Sequence, residues 1–128
     1  MTSARWVVAH VCAVGLAVAA GIRVRRLERN FPFDQLVREL RGARRLPTPA
    51  ADPAALARVV GRLAPVLPPW GMGLCFKRSL LLVHLWARCG LDPRLHLGIL
   101  AGRRGHAWVT AGPFSSGPPG PAAEVTAL

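Results

Sequence analysis

The side chains able to act as nucleophiles or to move protons are few: cysteines at 12, 75 and 89 and histidines at 10, 84, 96 and 106. None falls into C-x-x-C or H-E-x-x-H spacing, and no glycine-rich loop ends in Lys-Ser or Lys-Thr. A metal centre and a nucleotide-phosphate loop both lack their ligands, so no metal and no cofactor is expected. Thiol chemistry stays open. Cys75 opens the run LCFKRSLLLVHLWARCG, whose apolar residues follow a helical pattern and whose Gly90 suits a left-handed stop. A thiol in a first helical turn faces unsatisfied backbone N–H groups, and Lys77 and Arg78 add positive field, so the thiolate is favoured there. The same position also suits a small buried apolar residue, the reading that fits Cys89.

A nucleophilic thiol needs a base, and the sequence offers one on a strand. Past Gly90, Leu95, Leu97 and Ile99 alternate with His96, Gly98 and Leu100, the segment GRRG supplies a turn, and a second alternating run follows. On that second strand His106, Trp108 and Thr110 share one face, and Ala107, Val109 and Ala111 share the other. If the hairpin lies against the Cys75 helix, His106 can take the thiol proton. Its other reading is a half-buried strand residue bonded to a backbone carbonyl. His84 and His96 read as core or surface residues. For an oxyanion, the backbone N–H of Cys75 is available, with the indole N–H of Trp70 as a second donor or Trp70 as plain packing.

Several elements must position this pair. The run DQLVRELRGARRL opens on Asp34 as a cap and carries Arg41, Arg44 and Arg45 in its last turn, with Leu36, Leu40 and Ala43 on one face. Past the break LPTPAA, Asp52-Pro53 starts a helix whose Leu56, Val59, Val60 and Leu63 make one apolar stripe, ending before Pro65, Pro68 and Pro69. Ahead of both, the 17 uncharged residues between Arg5 and Arg23 would span about 25 Å as a helix, against about 30 Å of bilayer hydrocarbon. They read as a membrane span with Arg23, Arg25, Arg26 and Arg29 on the cytoplasmic side, or as a helix docked on the domain. The arginine cluster opposes a secretory signal.

With 128 residues the chain holds one small domain. A net charge of +11 alongside 52% apolar residues excludes a disordered basic tail. The charge attracts anionic lipid or phosphate, yet no recognition helix or interleaved aromatics accompany it, so no specific nucleic acid is expected. Three scattered cysteines fit a reduced, cytosolic setting. The expected architecture is α+β: N-terminal helices, then a Cys-bearing helix packed on a short antiparallel sheet. Residues 1–30 form an apolar helix with an arginine-rich end, and residues 31–128 form the domain, with a motif core at 68–112.

Cys75-Phe76-Lys77-Arg78-Ser79-Leu80, Leu97-Gly98-Ile99 and Gly105-His106-Ala107-Trp108-Val109 occur in that order. Together they resemble the leader peptidase of lasso-peptide biosynthesis, the protease half of its B protein, among the transglutaminase-like cysteine proteases. The resemblance covers residues 74–110 and extends, much less specifically, to the helices before them. It implies a transglutaminase-like or papain-like core, Cys75 as nucleophile and His106 as base. The implied reaction removes the leader from a ribosomally made precursor before ring closure. Implied partners are that precursor, a separate leader-binding protein and an ATP-dependent cyclase, in the cytoplasm or at the inner face of the membrane through residues 6–22. Trp108 and Arg78 are candidate substrate contacts, Arg78 equally a brace for its helix.

Family members usually carry an acid, most often Asp, on the strand after the His motif, where it orients the imidazole. Here Thr110 stands where members often show Glu, GPFSSGPPGP reads as a flexible stretch rather than a strand, and Glu124 is the only carboxylate beyond Asp92. Glu124 becomes the orienting acid if PAAEVTAL returns as an edge strand, and is otherwise a solvated tail residue. The departure keeps a second reading open, a catalytically silent precursor-binding module of the same fold. A basic membrane- or nucleic-acid-associated protein is the third.

Overall fold

The computed structural model describes residues 3–46, 52–100, 104–117 and 122–127. Within the Cys-bearing run, eight consecutive residues from Leu80 to Ala87 are buried, which a helix achieves only when neighbours enclose it on every side. That helix, α4 (Leu74–Arg88), is the axis of the molecule. Around it pack α1 (Ser3–Asn30), α2 (Phe33–Arg41) and α3 (Pro53–Leu63), while β1 (Arg94–Leu100) and β2 (Arg104–Ala111) close the remaining side. With β3 (Phe114–Ser115) and β4 (Ala122–Ala127) they form an antiparallel sheet in the order β3-β2-β1-β4. The architecture is α+β, as expected.

Both ends of α4 follow from glycines. Gly90 adopts φ +85°, which lets its N–H reach the Ala87 carbonyl at 3.0 Å while Leu91 N–H reaches Trp86 at 3.1 Å. These two bonds close the last turn and aim the chain into β1. At the other end Gly73 is the N-cap. Asp52 caps α3 as expected, its carboxylate accepting from Ala54 N–H at 3.1 Å and Ala55 N–H at 3.2 Å. A short 3-10 turn, Ala64–Val66, then carries the chain through Pro65.

The start and end of α2 differ from expectation. Pro32, not Asp34, is the N-cap, because the Phe33 ring packs on Phe76, 5.0 Å between centroids, and draws the first turn back by two residues. Asp34 lies inside that turn and pairs with Arg38 at 3.6 Å. The helix stops at Gly42, so Arg44 and Arg45 fall beyond it. Arg41 reaches across to the Asp92 carboxylate at 2.7 Å and the Pro93 carbonyl at 2.9 Å, pinning α2 to the entry of β1.

In α1, Ala13, Ala17, Ala20, Val24 and Leu27 recur at spacings of four and three and are buried in the common core. Small residues allow close approach, and Gly21 lies against Pro68. The opposite face leaves Val7, Val8, Val11, Val18 and Ile22 exposed. By length and composition Val7–Asn30 is apolar enough to cross a membrane, although 28% of its most apolar window is buried inside the protein.

Two C-terminal expectations are corrected. Phe114–Ser115 form a short strand paired with Thr110 and Ala111, because the Ser116 hydroxyl accepts Val109 N–H and Ser116 N–H donates to the Val109 carbonyl, both at 2.9 Å. These bonds supply the ladder that breaker residues would otherwise interrupt. PAAEVTAL returns as an edge strand, β4, antiparallel to β1. The solvated-tail reading of Glu124 therefore fails for its backbone; its side chain, like residues 118–121, lies outside the described residues.

Gly21→Ala is expected to lower the unfolding free energy by about 1–3 kcal/mol, since a Cβ there would meet the Pro68 carbonyl oxygen at 2.8 Å. Gly15 has nothing within 4 Å of that position, so Gly15→Ala is expected to stabilise by about 0.5–1 kcal/mol. Urea denaturation of the two variants checks both signs. Burial, with Arg88 and Arg23 nearby, lowers the pKa of His84 from 6.5 to about 4. The unfolded chain therefore takes up that proton first, and stability falls as pH drops from 6.5 towards 4. At about 1.4 kcal/mol per unit the full loss approaches about 3 kcal/mol. His84→Gln is expected to flatten this acid limb, read as urea midpoints between about pH 7 and pH 4.5.

Candidate active site

Because Gly73 caps α4 with extended backbone, Leu74, Cys75 and Phe76 make up its first turn. No side chain caps this end, and the first intrahelical bond runs from Lys77 N–H to the Gly73 carbonyl at 2.9 Å. The amides of residues 74 to 76 are therefore left without helical acceptors, a cluster of donors around the thiol. Cys75 is half-buried and free. Its carbonyl accepts the Ser79 hydroxyl at 2.8 Å, which steadies the turn from within. Lys77 is buried, and its ammonium donates to the Leu67 carbonyl at 2.8 Å, tying α4 to the loop that leads into it.

Cys75 and His106 line one cleft of about 420 Å³, together with Met72, Phe76, Leu97 and Gly98. Strand alternation sorts β2 into two faces, and the cleft lies towards its start, at His106 and Ala107. Ala107, Val109 and Ala111 are buried towards α4, while His106, Trp108 and Thr110 form the half-exposed row. In that row the Trp108 ring stacks between two imidazoles, His106 at 5.9 Å and His96 at 5.4 Å between centroids. A ring nitrogen of His96 lies 2.7 Å from the Thr110 hydroxyl, so Thr110 is used within the sheet. Thiol and imidazole share the cleft without a hydrogen bond to each other among the described residues.

Register places the backbone of Glu124 relative to His106. Gly98 pairs with His106 across β1 and β2 and with Glu124 across β1 and β4. His106, Gly98 and Glu124 thus occupy one row, with a glycine in the middle and two interstrand spacings, about 10 Å, between the outer backbones.

Three other candidates stand elsewhere. Trp70 does not line the cleft; it is 62% exposed, its indole N–H donates to the Val66 carbonyl at 3.2 Å, and the Arg25 guanidinium sits 5.2 Å over its ring. With that donor already engaged, Trp70 is corrected from oxyanion donor to a surface residue, and the donors next to the thiol are the first-turn amides of α4. Arg78 is half-buried with its Nε enclosed and unpartnered, outside the cleft lining. Trp108 is held in the imidazole stack rather than at the cleft wall. Sequence reasoning missed Met72 and Phe76 as cleft walls; the aromatic pairing of Phe76 with Phe33 was not visible in any local pattern.

Residues 14–127 match the family model of the transglutaminase-like superfamily, from within α1 to the end of β4. The chain belongs to that superfamily. No curated protein and no solved structure matches it. Superfamily membership is compatible with cysteine peptidase activity, and in this transglutaminase-like domain the cleft between α4 and β2 holds the thiol and imidazole such chemistry uses.

The cysteines differ in a measurable way. Burial and the nearby Asp52 charge push the Cys89 thiol up from its ordinary value, whereas Cys75 opens on a cleft at a helix start. With exposed Cys12 replaced by Ser, iodoacetamide at about pH 7.5 is expected to modify Cys75 at least about tenfold faster than Cys89. Peptide mass spectrometry over a time course reads the two rates.

Proposed function

We propose that the protein is a cysteine peptidase with Cys75 as nucleophile and His106 as general base. The observation that carries this reading is the shared cleft of the two side chains, in a chain of the transglutaminase-like superfamily. His106 leaves its stack on Trp108 and takes the thiol proton as substrate enters, since catalytic contacts often tighten only in the complex. The Cys75 sulfur attacks the scissile carbonyl, and the oxyanion forms against first-turn N–H groups of α4. His106 returns the proton to the leaving amine, and water then cleaves the thioester and restores the thiol. Glu124, in the row of His106, is the candidate orienting acid.

The substrate reading rests on the resemblance of the Cys75 and His106 segments to lasso-peptide leader peptidases. On it, the enzyme removes the leader of a ribosomally made precursor in the cytoplasm, presented by a separate leader-binding protein, and a cyclase uses the released amino terminus. Contact with the membrane surface through residues 6–22 fits the apolar outer face of α1. A catalytically silent precursor-binding module is the second reading, favoured by the missing hydrogen bond between thiol and imidazole.

Reconstitution of the full chain with precursor and leader-binding protein separates them. Cys75→Ala and His106→Ala are each expected to lower cleavage by at least about a thousandfold while circular dichroism stays unchanged. Glu124→Gln is expected to lower kcat more than KM and to change the pH dependence of cleavage. Undiminished cleavage by Cys75→Ala removes the thiol from the reaction. Precursor binding without cleavage by the unaltered protein, partners present, favours the silent module.

A further inference from the structure

A second cavity, of about 450 Å³, lies between α1, α4 and the end of α2, lined by Arg23, Arg26, Glu39, Arg44, His84 and Arg88. Four guanidinium groups meet there with one carboxylate, and no ion pair within 4.0 Å joins them among the described residues. Like charges gathered in one cavity repel unless a counter-ion enters. Its wall also holds two enclosed polar atoms without hydrogen-bond partners, His84 Nδ1 and Arg88 Nε. The His84 side chain belongs to a residue only 7% exposed. Buried polar atoms are nearly always satisfied, and these two belong to residues of the arginine-rich lining.

We propose that this cavity binds a phosphate group, held by Arg23, Arg26, Arg44 and Arg88 around the buried edge of His84. A phosphate monoester brings close to two negative charges and three free oxygens, enough for several guanidinium forks. A carboxylate would leave most of the arginines unpaired. Nine residues separate His84 from Cys75 on α4, about 14 Å along the helix axis, so the site is separate from the thiol cleft. It stands whether or not Cys75 is a nucleophile. The phosphate can belong to a soluble monoester or to a lipid headgroup. Ile22 lines the cavity and is 46% exposed, and the apolar outer face of α1 continues from it through Val18 and Val11.

The test uses the full chain at about 50 mM salt, where charge effects are not masked. Calorimetry measures binding of inorganic phosphate and glycerol 3-phosphate, and cosedimentation measures binding to phosphatidylcholine vesicles with and without about 20% phosphatidic acid. Arg23→Gln with Arg26→Gln, both exposed residues, is expected to weaken saturable binding at least about tenfold. The control pair, Arg25→Gln with Arg29→Gln, removes the same charge from the same helix at the separate cleft beside Trp70, and is expected to change binding less than about twofold. Loss confined to the first pair supports the site, with a soluble source if glycerol 3-phosphate binds and a headgroup source if only phosphatidic acid vesicles do. Equal weakening by both pairs, or no saturable binding to any probe, overturns it.

Discussion

Everything in this domain is arranged around the enclosure of one helix. From Leu80 to Ala87 every residue of α4 is buried, so it must be covered by α1, α2, α3 and the sheet at once. Fully burying a large aliphatic side chain gains about 1.5–3 kcal/mol, and this stretch includes four leucines and a tryptophan. The apolar stripes of α1, α2 and α3 and the inner face of the sheet bury their own core residues against it. The sheet is small because it needs only to close the last side of the cylinder.

That enclosure also decides where chemistry can occur. The middle of α4 is inaccessible, so only its two ends remain open. At the first, Gly73 leaves unpaired amides around Cys75, and the end of the hairpin brings His106 to the same cleft. At the second, His84 and Arg88 meet arginines of α1 and of the chain beyond α2. The polar residues that α4 does bury are tied down where a carbonyl is near, as with Lys77 and Leu67. His84 keeps its Nδ1 unpartnered, and burial, reinforced by the Arg88 and Arg23 charges, keeps its imidazole neutral.

The strand row that holds His106 depends on glycine. Gly98 sits between His106 and Glu124 in register, and it brings no side chain to that row. In a sheet of this size each strand has only one or two neighbours, so the order β3-β2-β1-β4 determines which residue can come beside the imidazole. The strand following His106 in sequence contributes only Phe114 and Ser115, and the carboxylate-bearing strand arrives on the far side of β1 instead.

Local sequence already determined the helix carrying Cys75 and its glycine stop, the Asp52 cap of α3, and the division of β2 into an Ala-Val face and a His-Trp face. Each depends on residues within one or two turns or on a period of two, so short-range sterics and backbone hydrogen bonding suffice. Only the tertiary structure decided the rest. Phe76 pulled the start of α2 to Phe33, Val66 claimed the indole of Trp70, Ser116 extended the sheet across a breaker-rich stretch, and β4 crossed back to β1. The bonds of Trp70 and Ser116 span only four and seven residues, whereas the Phe33–Phe76 and β1–β4 contacts join residues distant in the chain, so packing free energy rather than local preference selects them. The meeting of Cys75 with His106 at one cleft is of the same kind, set by how the hairpin closes over α4 rather than by either segment alone.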